Sequence, residues 1–442
     1  MKTWINKWKF FLPIIFLVAS CTPEVDDPQM MEDRVKTAIF RSMQEWYFWN
    51  DKLPQGTDPT QFSSNEDLLS SIIHAPLDRW SYLTTPDAFT RAFTGQNAGH
   101  GFGWGFDENE HLYLLFVYKE APAGKDNWQR GWRVLEVNGK PISSYKQSNG
   151  SYNFQLGPNE TGITNTFKFL LPDGTEVVKT LGKAEYQSNS VLHRSVVSLD
   201  GKNIGYWVYN SFRATAGTTP ASSVEVDQTL NYFISQNVDE LVLDLRYNGG
   251  GSVGVTEQIL NYLVPSHANG QTMYTNTLNN SKSSQNSSKK FEKKGNLNLN
   301  RLIVLTSRSS ASASELLINC LTPYMEVVLI GANTYGKPVG SFPLSSYNKT
   351  LKDNNVELVP ITFASANANG RAEYFDGFPV DFQVADDPSR DWGNPQERRY
   401  KAAIDYIRTG SVHSPGARII TYQPTWEMID SFTGLQKEFP AY

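Results

Sequence analysis

Four apolar runs between positions 202 and 332 constrain this chain more than any other feature: "KNIGYWVY" (202–209), "ELVLDLRY" (240–247), "RLIVLTS" (301–307) and "EVVLIGA" (326–332). The second is apolar almost throughout before its last residues, the pattern of a strand buried on both faces. Helical stretches at 224–236 and 255–263 flank it, and "ASELLINCL" (313–321) lies between the last two runs. Strands alternating with helices predict an α/β domain, here residues 186–442, whose ligands sit beyond the carboxyl ends of the strands. Residues 270–298, rich in Asn, Ser and Lys, read as an irregular polar insertion. A last helix is marked by Asn394 as N-cap, Pro395 at the first position, a body from Gln396 to Arg408, and Gly410 past its end.

The chain has 442 residues, enough for two or three domains. Residues 1–20 carry Lys2, Lys7 and Lys9 before an apolar run to Val18, which predicts a secretory signal. The stretch "LVASC" is similar to a bacterial lipobox and makes Cys21 the expected site of lipidation. The other cysteine is Cys320, so an exported protein of this size is expected to have no internal disulfide. Residues 21–33 read as a tether and 34–92 as a small helical domain, with Val35, Ile39, Met43 and Trp46 at helical spacing. Residues 96–185 change to short apolar runs broken by glycine and turn residues, with Asn138-Gly139 favouring a tight turn. That texture predicts a β-rich module. The formal charge of -5 gives no general attraction to nucleic acid, and Lys289, Lys290, Lys293 and Lys294 read as a solvated loop.

The stretch "TSRSSASASELL" (306–317) poses the chemical question. Ser312-Ala-Ser-Glu315 fits a capping box, in which hydroxyl and carboxylate merely satisfy a helix end. It equally places Ser312 at a helix N-terminus after a strand, where free N–H groups can hold a developing oxyanion. A nucleophilic serine needs a base. The six histidines, His74, His100, His111, His193, His267 and His413, lie in no recognisable motif, although a triad assembled in space stays open. Lys337 follows the next strand, among Tyr335, Gly336, Pro338 and Val339, with no adjacent carboxylate. A base working near neutrality needs a pKa of roughly 7 to 8 against about 10.4 for free lysine, a difference of about 4 kcal/mol that apolar burial can supply. "GANTYGK" (331–337) has phosphate-loop spacing, but Pro338 stands where Ser or Thr would hold magnesium and open a helix, so nucleotide is not an expected partner. The glycines of "LVLDLRYNGGGS" complete the set: Gly249 and Gly250 are candidates for half of an oxyanion hole, with Ala313 N–H as the other half.

"DLRYNGGG", "SSASASE" and "TYGK", in that order, resemble the motifs of the carboxy-terminal processing peptidases, or tail-specific proteases, across most of residues 36–410. The resemblance implies a multidomain α+β protein: an N-terminal helical domain, which "PLDRWSYL" also resembles, a PDZ-like domain, and a catalytic α/β domain of ClpP/crotonase-like fold. It implies Ser312 as nucleophile and Lys337 as general base. The family often places Gln four residues after the lysine, where this chain has Ser341, the candidate third residue. It also implies a carboxylate-binding loop at Gly101, Phe102 and Gly103, although Trp132 stands where the family's PDZ stretch usually has Asp.

The reading that follows is a serine endopeptidase, lipid-anchored in the bacterial cell envelope, with protein or peptide substrates and no metal or organic cofactor. Its rivals are a non-catalytic peptide-binding lipoprotein of the same fold and an envelope protein that binds glycans through its aromatic residues.

Overall fold

The computed structural model describes residues 28–412 apart from Pro76 and residues 217–220. The expected signal, the lipidation site Cys21 and His413 lie outside the described residues. Helix α1 (Pro28–Trp46) begins six residues before the spacing predicts, inside the expected tether. Side chains one turn apart extend it: Lys36 pairs with Glu32 at 2.7 Å, and Gln29 donates to Asp33 at 3.0 Å. Helices α2 (Asn65–Ile72) and α3 (Pro86–Thr94) complete the N-terminal part, each capped by a hydroxyl, Ser64 and Thr85.

The β module is an antiparallel sheet of β1 (Phe102–Phe106), β2 (Leu112–Val117), β3 (Arg133–Val137), β4 (Thr164–Leu170) and β5 (Glu176–Gly182), in that spatial order. Asn138 and Gly139 both take left-handed backbone after β3, as the tight turn requires. Phe102, Trp104, Trp128, Phe167 and Phe169 form an aromatic core that Trp132 joins edge-on to Phe169 at 5.4 Å. Trp132 is therefore a core residue.

In the α/β domain six strands run in the order β6 (Val191–Leu199), β7 (Lys202–Tyr209), β8 (Glu240–Asp244), β11 (Arg301–Thr306), β12 (Glu326–Gly331) and β15 (Phe382–Gln383). All neighbours are parallel except β6 and β7. The labels between them belong to a second sheet, ordered β10 (Ser287–Lys290), β9 (Thr272–Leu278), β14 (Ile361–Ala366) and β13 (Val339–Ser341). Helices α4 (Val224–Ser235), α5 (Val253–Leu263) and α6 (Ala313–Leu321) cover one face, and α7 (Arg398–Thr409) covers the other. Leu241 and Leu243 pack toward the first group and Val242 toward α7, so β8 is buried on both faces as its composition predicts.

Two sequence expectations are corrected. The insertion at 270–298 is ordered, and β9 lies inside its sheet between β10 and β14. Its polar residues find partners across the strands, as where Ser365 donates to Asn276 at 2.6 Å. The last helix begins at Arg398 rather than Pro395, because Glu397 is its cap and accepts Tyr400 N–H at 2.8 Å. Asn394 instead closes the preceding turn, accepting Gln396 N–H at 2.9 Å.

The α/β domain meets its companions through two unlike joints. Ile39, Met43 and Leu69 of the helical part share an apolar core with Val339, Leu344, Leu358 and Ile361. The β module docks instead through Arg130, which donates to Tyr247 Oη at 3.0 Å, to Leu115 O at 2.8 Å and to Asp386 at 3.4 Å, and stacks 3.9 Å from the Trp392 ring. Arg246, fully buried, joins the same cluster, reaching Asp386 at 2.6 Å and Glu397 at 2.8 Å.

Candidate active site

Strands β8, β11 and β12 are neighbours and parallel, so their carboxyl ends bring three loops to one edge. From β8 runs the glycine loop, from β11 the serine run, and from β12 the segment ending in Lys337. Most serines of the run have structural work. Ser310 Oγ donates to Leu245 O at 2.7 Å, Ser314 Oγ donates to Asn248 O at 3.1 Å, and Ser307 Oγ donates to Arg246 O. These bonds stitch the serine run to the glycine loop.

Ser312 is different. An ordinary N-cap has extended backbone, but Ser312 has φ 54° and ψ -111°, a region that a non-glycine residue occupies only when its surroundings force it. The residue is half-buried at the turn into α6. Part of the capping box does form, since the Glu315 carboxylate accepts Ser312 N–H at 3.0 Å. That carboxylate also accepts Lys337 N–H at 2.8 Å, Gly336 N–H at 2.7 Å and the Thr334 hydroxyl at 2.6 Å. Ser312 and Lys337 amides share one oxygen, Oε2, which holds the two backbone nitrogens within about 6 Å of each other. Burial pushes the Glu315 carboxyl above its ordinary range, while bonds from Thr334, Lys337, Gly336 and Ser312 pull it back. Lys337 is 6 % exposed.

The glycine loop comes as close as its composition allows. A Cβ on Gly250 would lie 2.9 Å from Ser312 Cβ, so only glycine fits beside the serine turn. Gly250 N–H is engaged with Asn248 Oδ1 at 2.9 Å. Among the described residues, Gly249 N–H and Ala313 N–H donate to no protein acceptor. On the far side, a Cβ on Gly336 would lie 2.2 Å from Phe375 O, which explains the glycine before Lys337. Past Lys337 the chain becomes β13, whereas a phosphate loop would open a helix there. Ser341 ends β13, half-buried and opposite Ile361 across a bulge.

Gly101, Phe102 and Gly103 lie in the β module. Phe102 is fully buried against Trp104 and Trp128, Gly101 O accepts Tyr118 N–H at 2.9 Å, and Gly103 lies beneath the Phe116 ring. They offer a ligand backbone only. His100, beside them, is fully buried with Nδ1 unpartnered and Nε2 3.1 Å from Asn165, and burial with the nearby Lys183 charge pushes its imidazole down to about 4.

Sequence reasoning saw Glu315 only as a local cap. Its bonds to residues 334–337 depend on the strand order, and the motif pattern was the one signal that set it apart.

The chain matches Peptidase family S41 over residues 203–356 and the Peptidase S41 N-terminal domain over residues 34–82. These matches support a serine-type peptidase similar to the carboxyl-terminal processing peptidases. The larger match contains the glycine loop, Ser312, Lys337 and Ser341. The carboxyl-terminal-processing protease of Synechocystis is 24% identical over 304 residues, 66% of each chain, and that of Bartonella bacilliformis is 27% identical over 239 residues, 52% of this chain and 50% of the other. The chain thus spans half to about two thirds of these relatives. A crystal structure of a Bacteroides fragilis protein of the S41 protease class superposes with a TM-score of 0.68 at 23% identity, covering 91% of this chain and 99% of that one, and shares its fold.

Proposed function

We propose that the chain is a serine endopeptidase of the cell envelope that works through Ser312 and Lys337. The observation that carries this reading is the Glu315 carboxylate, which ties the strained serine turn and the lysine loop together through one oxygen. Ser312 Oγ attacks a peptide carbonyl and Lys337 accepts the proton. Lys337 then delivers that proton to the leaving amine, and water releases the acyl group. Gly249 and Ala313 amides hold the oxyanion, while Gly250 gives the steric room. Ser341 is the candidate for orienting Lys337. The β module takes unstructured C-terminal tails by strand addition, with backbone near Gly101 to Gly103 meeting the carboxylate. A lipid on Cys21 tethers the protein.

A fluorophosphonate probe tests the chemistry. It should label the wild-type protein stoichiometrically and fail on Ser312→Ala, and casein cleavage should fall by about 1,000-fold or more in Ser312→Ala and Lys337→Arg. Equal turnover in Lys337→Arg would transfer the role to another base. The peptide-binding, non-catalytic reading rests on Ser341 standing where the family often has Gln. Peptide binding without probe labelling would establish it.

A further inference from the structure

Among the described residues, one cation beside the lysine loop makes no ion pair or hydrogen bond. Arg79 is exposed, and its guanidinium lies 4.9 Å from the Trp80 ring centroid and 5.6 Å from that of Tyr335. Both rings are fixed. Trp80 is buried between Tyr335 and Phe375, at 6.4 and 6.3 Å, and Tyr335 N–H donates to Ser310 O at 3.0 Å.

The turn that carries Arg79 is fixed as well. Asp78, buried, accepts Trp80 N–H at 2.9 Å, Ser81 N–H at 3.0 Å, the Ser81 hydroxyl at 2.5 Å and the Tyr47 hydroxyl at 2.8 Å. Ser81 Oγ accepts Ile361 N–H at 3.0 Å, which pins the turn to β14. The adjacent carboxylate is therefore fully committed elsewhere. Among the described residues Arg79 makes no ion pair or hydrogen bond, whereas Arg308 nearby donates to Thr334 O at 2.8 Å.

A guanidinium laid on aromatic faces keeps its N–H edge turned outward, which suits two-point binding of a carboxylate. Tyr335 is two residues from Lys337, so Arg79 stands on the order of 10 to 15 Å from the base, the length of three or four extended residues. We propose that Arg79 determines specificity by binding a substrate carboxylate, an Asp or Glu side chain or the free C-terminus, three or four residues from the scissile bond. This rests on the peptidase reading above, because it places the scissile bond at Ser312.

The test uses fluorogenic peptides of one core sequence: neutral and amidated, with an internal Glu, or with a free C-terminus. Wild type, Arg79→Gln and Arg79→Lys are compared by kcat/KM. Arg79→Gln should lower the preference for a carboxylate peptide over the neutral one by about 10- to 100-fold, with Arg79→Lys in between. The peptide that loses the advantage identifies the carboxylate. An equal effect of Arg79→Gln on all peptides, or no effect, overturns the proposal. The same peptides bound to Ser312→Ala with and without Arg79→Gln, read by fluorescence polarisation, give a readout independent of turnover. Arg79-dependent binding without cleavage in wild type would retain the carboxylate site and remove the peptidase reading.

Discussion

The helical part and the β module are joined to the same domain by opposite physics. Between the helical part and the α/β domain the side-chain contact is apolar, with Ile39, Met43, Leu358 and Ile361 all buried, and a short backbone ladder pairing 82–84 with 357–359 runs beside it. Between the β module and the α/β domain, a buried arginine stands between a tyrosine, three carbonyls and a carboxylate. Apolar packing alone tolerates small shifts, because its energy scales with area rather than direction, so direction on this side comes from the backbone ladder. A buried ionic joint holds a single geometry, since misplacing one partner leaves a charge without solvent or counter-ion. The β module is thus fixed in register with the loop after β8 that leads to Gly249.

The largest expected effect breaks the ionic joint. Arg130→Met should destabilise the protein by about 3 to 5 kcal/mol in urea unfolding, since the carbonyls of Leu115, Asp387 and Arg390 lose their donor, although Asp386 keeps Arg246. A loss under about 1 kcal/mol would mean that the surrounding tyrosine and tryptophan rings carry the joint instead. Next is the apolar side: Leu358→Ala should cost about 2 to 4 kcal/mol through lost burial and a cavity, with catalytic parameters of the folded fraction unchanged.

A smaller effect separates the interior of the β module from its ionic joint by pH. His100 has a folded value of about 4 against an ordinary 6.5, so the unfolded chain takes the proton first. The stability this contributes is complete above 6.5 and is lost as pH falls toward 4, up to about 3 kcal/mol. Burial alone would raise the Asp386 carboxyl, but Arg246, Arg399 and Arg130 outweigh it and hold it well below the carboxylate range. Its contribution is present above about 4 and fades only below that. Tryptophan fluorescence of the β module should therefore change between pH 6.5 and 4, and His100→Gln should remove that phase. A phase unchanged in the variant would assign it elsewhere. The smallest effect is Lys282→Ala. Lys282 lies 4.0 Å over Trp46 and pairs with Glu45 at the edge of the apolar joint, and its removal should cost no more than about 1 kcal/mol in the same unfolding assay.

What could be read from the chain follows the range of each interaction. Strands β7, β8, β11 and β12 and helix α6 were legible because burial on both faces leaves a local mark. Strand β9 was not, because "TMYTNTL" gains its strand character from partners at 287–290 and 361–366. The serine run showed its chemistry only in part. That Ser312, unlike Ser310, has a positive φ is set by the packed loops around it, and the Glu315 bonds span 19 to 22 residues across two strand ends. Arg130 and Asp386 are 256 residues apart, and nothing near either announces the other.

The left-handed backbone at Ser312 has a consequence for stability. A residue other than glycine in that region costs on the order of 1 to 3 kcal/mol, which glycine would relieve. Ser312→Gly would therefore keep the fold while relieving that strain, a sturdier scaffold without the hydroxyl.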